Sequence, residues 1–273
     1  MAAAYQGACR AEIEALKAGN VHVFADGHRM SAQQFLDSAQ VSSGPLTDTE
    51  LPVGQRILEA VRATRETVGV NTNLGILLLS APLIAAAEMD GDLRENLGKV
   101  LRAMTMDDAR AVFAAIVLAS PGGLGSAEAH DVRDAPAVPL LEAMREASQR
   151  DMIARQYVTG FADVFDAGMV AYDAAVARGE TGMWPAVAAY MAFLTGFPDS
   201  HVARKQGIAI ADAVWREAIA VNAKLDQSAA EEARIRQLLA FDADLKARHI
   251  NPGTSADLTV ACLLVHSLRG ELA

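Results

Sequence analysis

The chain has 273 residues, 34 of them acidic and 24 basic, for a formal net charge of -10. That length can bury a core without staples, and the acidic balance excludes a nonspecific nucleic-acid binder, which needs a basic surface to displace phosphate counterions. Cys9 and Cys262 lie far apart and match no metal-ligand spacing, so two reduced thiols are expected rather than a disulfide or a zinc site.

Helical periodicity dominates wherever a pattern can be read. Met1 to Tyr5 runs straight into Gln6, Arg10 and Glu12, unlike a secretion signal, and a helix is predicted over about 3–18. Val21 to Phe24 is one short alternation and the only strand signal; Gln40 to Pro52 is the loopiest stretch. Val53, Ile57, Val61 and Val68 mark one face of an amphipathic helix that stops at Gly69. The apolar run from Leu74 to Ala87 predicts a helix over 74–88; it is too short for a membrane span and holds Gly75, Ser80 and Pro82. A helix over 92–103 follows, and Thr105 then caps one that closes at Pro121-Gly122-Gly123. The remaining helices are expected over 139–178 with a break near Gly160, then 184–195, 201–222, 228–248 and 257–269. With no repeat and no Gly/Ser- or Pro-rich linker, the expectation is a single all-α domain over 1–273, cytoplasmic, without nucleic-acid or membrane partners. Ala-rich apolar helices are compatible with a helix-packed homodimer.

The unusual residues gather at helix ends. Five corners stand out: Lys17 to His22 with Gly19 and Asn20; Asn71-Thr72-Asn73-Leu74-Gly75; Gly122-Gly123-Leu124-Gly125 with His130-Asp131; Asp199-Ser200-His201; and Asn251-Pro252-Gly253-Thr254-Ser255-Ala256-Asp257. Glycine and Asn permit close backbone approach, and helix N-termini suit anionic oxygens, so the five predict one composite, phosphate-friendly pocket. Each corner alone reads first as a cap or a helix-ending loop. The glycine segment lacks the Lys-Ser/Thr ending of a P-loop and the strand-before, helix-after setting of a dinucleotide fingerprint, which excludes both folds. Two Asn amides flanking a hydroxyl at 71–73 exceed what one cap needs. Arg204, Lys205 and Lys17 are candidate cations for a polyphosphate, and Asp131, Asp199 and Asp257 are candidate oxygen ligands for Mg²⁺.

In this order, the segments at 71–75, 122–132, 199–207 and 251–258 resemble the triphosphoribosyl-dephospho-coenzyme A synthase family, over nearly the whole chain. The family's N-terminal Lys-Pro-Gly-Asn pattern falls on Lys17, Gly19 and Asn20, with Ala18 where proline is usual. The resemblance implies an all-α enzyme that joins the triphosphoribosyl unit of ATP to a ribose 2′-hydroxyl of 3′-dephospho-coenzyme A and releases adenine. Such a transfer builds positive charge on the sugar and negative charge on the leaving base. Asp131 or Asp257 would then stabilise the sugar cation or activate the acceptor hydroxyl, and His201 would donate near the leaving base. Lys17, Arg204, Lys205 and glycine-loop N–H groups would hold the triphosphate. The pattern from Arg150 to Tyr157, with Thr159 to Phe161 and Asp163 to Phe165, resembles a branch tied to one-carbon cofactors, which keeps a pterin- or furan-linked acceptor as an alternative. A helical nucleotide-binding protein without turnover is the alternative of another class.

Overall fold

The computed structural model describes residues 1–25, 30–121, 132–228 and 230–271. Among these there are fourteen α-helices, one π-helical turn and no strand. Val21 to Phe24 contributes only an isolated bridge between His22 and Ala25.

The most deeply placed helix is the one whose sequence has no polar face. In α4 (Leu74–Ala87) every residue except Gly75 and Ala85 is buried, as expected of a helix apolar all round. It packs against α3 (Val53–Val68), α5 (Leu93–Ala103) and α14 (Gly253–Glu271). Pro82 sits inside α4 and has no N–H to give the Leu78 carbonyl one turn back. Tyr157, from α8 (Met152–Thr159), donates its hydroxyl to that carbonyl at 2.6 Å. The proline thus creates the acceptor that pins α8 onto the core.

Around this pair, α1 (Ala2–Glu14) lies against α2 (Ala32–Leu46) and α14, and α3 lies between α2 and α6 (Met106–Ala119). On the other side α10 (Trp184–Gly196) packs on α9 (Met169–Ala177), α12 (Ile208–Gln227) and α14, while α7 (Leu140–Ala147) rests on α8. The seven-residue α11 (Ser200–Gln206) joins α12 and α14, and α13 (Glu231–Ala247) packs on α12. Buried side chains from both ends of the chain form one continuous core.

Several boundaries differ from the expectation, each for a local reason. Much of the stretch expected to be loop is helical, because α2 opens with a Ser31/Gln34 capping box and runs through Pro45. Its polar residues are satisfied inside the helix and across it: Ser38 and Ser42 bond back to the Gln34 and Ser38 carbonyls, and then to Thr72 and Tyr5. The expected 139–178 helix is four pieces, since Asp151 caps a new start at α8, Gly160 ends it in the left-handed conformation at φ 62°, and a π-helical turn (Val164–Gly168) precedes α9. The 201–222 helix divides at Gly207, whose φ of 94° only glycine adopts readily.

One crossing depends on the absence of a side chain. A Cβ on Gly54 of α3 would lie 2.5 Å from the Asp108 Cα of α6, and the Gly54 N–H donates to the Asp108 carboxylate at 2.8 Å. We expect Gly54→Ala to lower unfolding free energy by about 1–3 kcal/mol, the usual cost of forcing extra volume into a packed core. A urea midpoint that falls with an unchanged slope would bear this out.

Candidate active site

The N-terminal turns of α8, α11 and α14 are bonded to one another. Asp199 precedes α11 and is 2% exposed. One of its carboxylate oxygens accepts the His201 and Val202 N–H groups at 2.9 and 3.1 Å. The other accepts the Ser255 N–H and hydroxyl of α14, both at 2.8 Å. Thr254 accepts a second bond from the His201 N–H at 3.1 Å and pairs with the Ser200 hydroxyl at 3.0 Å, while Ser200 also accepts the Met152 N–H of α8 at 3.2 Å. On α8 itself, Asp151 caps the helix and reaches the Arg204 guanidinium at 3.3 Å.

In front of this wall lies a cavity of about 1070 Å³. Of the sequence-predicted residues, Asn20, Asn71, Thr72, Gly75, Ser200, His201, Arg204, Lys205, Asn251, Gly253, Thr254 and Asp257 line it. The two ends of the chain therefore do meet at one site. Gly75 and Gly253 serve by close approach: a Cβ on Gly75 would strike the Asp257 carboxyl at 2.1 Å, and one on Gly253 would come within 2.6 Å of the His201 ring. Gly122, Gly123, Gly125, His130 and Asp131 lie outside the described residues, although the flanking Pro121 and Val132 both line the cavity.

Other candidates are corrected. Lys17 is completely buried, does not line the cavity and pairs with Glu12 at 2.9 Å, so it neutralises an acid rather than holding phosphate. Gly19 donates its N–H to Asp242 at 2.8 Å and His22 sits 3.3 Å from the same carboxylate, which ties the N-terminal corner to α13. Asn73 points inward, donating to Thr64 at 3.1 Å, and Asn71 supplies the cap instead by accepting the Leu74 N–H at 3.1 Å. Both oxygens of Asp199 are fully engaged with donors, and Ser255 is one of those donors, so neither side chain is offered to a ligand or a metal. Among the described residues no three acidic, His or Cys side chains are grouped to hold a metal ion.

Sequence reasoning missed Glu12. It lines the cavity yet is only 3% exposed, on the α1 face that also buries Tyr5, Ala8, Cys9 and Ile13. An acid on an apolar helix face was the available signal. Arg65, Arg150 and Arg155 also line the cavity, which with Arg204 and Lys205 makes five cationic side chains among the described residues. Arg155 pairs with Asp163 at 3.3 Å; Lys205 forms no ion pair among the described residues, and partial burial followed by the Arg204 charge lowers its pKa. The cavity is also lined by the apolar side chains of Phe113, Ile116, Leu140, Met144 and Ile153.

Burial dominates the acids. It pushes the Asp257 carboxyl well above the ordinary carboxylate range, and the charges of Glu12 and Asp199 push it further. Burial raises Glu12 as well, with Lys17 drawing it back toward the anion. Burial thus shifts both carboxyls toward the protonated form, with Lys17 opposing the shift at Glu12 and Arg204 opposing it at Asp257.

A model of the CitG family, ATP:dephospho-CoA triphosphoribosyl transferase, matches residues 1–273. The chain belongs to this family. A crystal structure of a candidate triphosphoribosyl-dephospho-CoA synthase from Archaeoglobus fulgidus shares the fold, with a TM-score of 0.66 and 24% identity over 86% of this chain and 98% of that one. No curated protein matches significantly. The cavity volume of about 1070 Å³ lies just beyond the top of the ~300–1,000 Å³ range usual for one small ligand.

The raised Asp257 value carries a stability cost. Its folded pKa lies above the unfolded value of about 4, so between the two the native state holds the extra proton and stability falls as pH rises through that window. Asp257→Asn removes the cost. We expect the variant to melt at least about 2 °C above the unsubstituted protein at pH 8, with the gap closing toward pH 4; an equal or lower melting temperature at pH 8 contradicts this.

Proposed function

We propose that this chain transfers the triphosphoribosyl group of ATP to the ribose 2′-hydroxyl of 3′-dephospho-coenzyme A and releases adenine. The observation that carries the reading is the Asp257 carboxyl, whose ionisation is opposed by burial and nearby acids, in a cavity that Arg204 and Lys205 also line. Breaking a ribose C1′–N bond leaves negative charge on the base, and a neutral carboxylic acid is the donor that such a leaving group needs. His201, on the same wall, would hydrogen-bond the base.

Arg204 and Lys205 hold the triphosphate, with Arg150 and Arg155 at the same cavity contributing to the field. Mg²⁺ enters on the phosphates of ATP itself, consistent with its habit of keeping few protein ligands. The Gly122 to Asp131 segment, whose flanks line the cavity, would supply backbone N–H groups and the Asp131 carboxylate to the sugar. The apolar wall of Phe113, Ile116 and Met144 suits an extended acceptor tail. The branch-like segment at Arg150 to Arg155 also lines the cavity, and that favours a second reading in which a different cofactor precursor accepts the same group.

Product analysis by mass spectrometry after incubation with ATP, Mg²⁺ and 3′-dephospho-coenzyme A, alongside a pool of cofactor precursors, tests both readings. Free adenine and an acceptor heavier by one triphosphoribosyl unit are expected. Release of pyrophosphate or phosphate in place of adenine overturns the transfer, and ATP binding without any product favours a sensor.

Lys205→Ala should weaken ATP binding by roughly 10- to 150-fold, the equivalent of one charge-assisted hydrogen bond of about 1.5–3 kcal/mol. Its side chain is exposed at the cavity rim, so the helical circular-dichroism spectrum should not change. Unchanged ATP affinity by titration calorimetry would remove Lys205 from the phosphate site.

A further inference from the structure

Glu12 is a buried acid that the proposed chemistry has not yet used. It enters the cavity wall from α1, whereas Asp257 enters from the first turns of α14, and these two helices pack directly on each other. Lys17 holds the Glu12 carboxylate at 2.9 Å and is itself fixed by the Val21 carbonyl and by Asn20. Asn20 in turn donates to Asn251 at 2.8 Å, just ahead of α14. The anion is therefore held rigidly at the cavity rather than left to swing.

We propose that Glu12 is a second catalytic carboxyl, the general base that takes the acceptor's hydroxyl proton while Asp257 protonates the departing base. This inference rests on the triphosphoribosyl-transfer reading. As the acceptor O2′–H bond gives its proton to the Glu12 carboxylate, the O2′–C1′ bond forms. The C1′–N bond of ATP breaks, its electron pair goes to adenine, and the Asp257 proton follows it there. Glu12 ends protonated and Asp257 ionised, and one proton passing from Glu12 to Asp257 restores the pair, so nothing beyond the two substrates is consumed.

The electrostatic setting agrees with this division. The groups around the two carboxyls are Cys9 of α1, Lys17 just beyond that helix, Asp151 at the start of α8, Tyr190 of α10, and Asp199 and Arg204 at α11. Lys17 favours the anion at Glu12, whereas the neighbours of Asp257 are chiefly acidic and favour its protonated form. The Cys9 thiol, one helical turn before Glu12, is raised by burial and by both carboxyls, which places the two acids in one neighbourhood.

The rival role for Glu12 is to neutralise Lys17 and nothing more. Glu12→Gln alone leaves a buried ammonium without its counter-charge and is at risk of unfolding, so the decisive protein is E12Q/K17M, in which neither charge remains. Adenine release by this variant should fall about 10²–10⁴-fold in kcat, with the KM for ATP changed only a few-fold and a native-like melting curve. The acidic limb of the kcat/KM profile should vanish in E12Q/K17M, whereas the alkaline limb should vanish in Asp257→Asn. Formate added to E12A/K17M should restore part of the rate. Near-normal turnover by E12Q/K17M, or retention of its acidic limb, shows a purely structural Glu12 and overturns the proposal. If the unsubstituted protein releases no adenine with any acceptor, the transfer reading fails and takes this assignment with it.

Discussion

Two helix starts share one carboxylate. Asp199 accepts four hydrogen bonds, two from the start of α11 and two from the start of α14, and this junction sets where every other group at the site stands. Helix N-termini carry unsatisfied N–H groups and partial positive charge, and a buried anion between them answers both needs. Without it, His201, Arg204 and Asp257 would have no common frame. The same engagement is why Asp199 cannot also serve as a metal ligand.

The cavity separates its charges. Glu12 is almost wholly buried and Asp257 partly so, burial disfavours the ionised form of both, and Lys17 pairs with Glu12. Arg204 and Lys205 are more exposed, and Arg204 pairs with Asp151. A polyphosphate is drawn to such an exposed cationic rim, which would leave the attached sugar pointing toward the acids.

Much of the fold was legible because helix signals are local. Thr105 caps α6 through a box with Asp108, Gly69 ends α3 in the left-handed conformation, and the all-apolar run at 74–87 became the most buried helix. The misreadings arose where local signals compete with tertiary bonds. Gly44 and Pro45 read as loop, yet the serines of α2 find partners in Tyr5 and Thr72, and those long-range bonds carry the helix to Leu46. Conversely, the continuous pattern over 139–178 concealed a cap at Asp151 that only its contact with the α11 region makes sensible.

The site followed the same division. The sequence by itself determined an all-helical chain with polar, glycine-bearing corners and carried the family, because caps, turns and apolar periodicity are properties of neighbouring residues. Which corner residues face the cavity was decided by packing. Lys17 and Asn73 turn inward, where Glu12 and Thr64 satisfy them, and Asp199 disappears beneath two helix ends. Glu12, an ordinary helical acid in sequence, comes to line the cavity because α1 and α14, from opposite ends of the chain, pack on each other. Only the tertiary structure could decide this, since the ionisation of a carboxyl depends on the burial and charges that surround it and not on its neighbours along the chain.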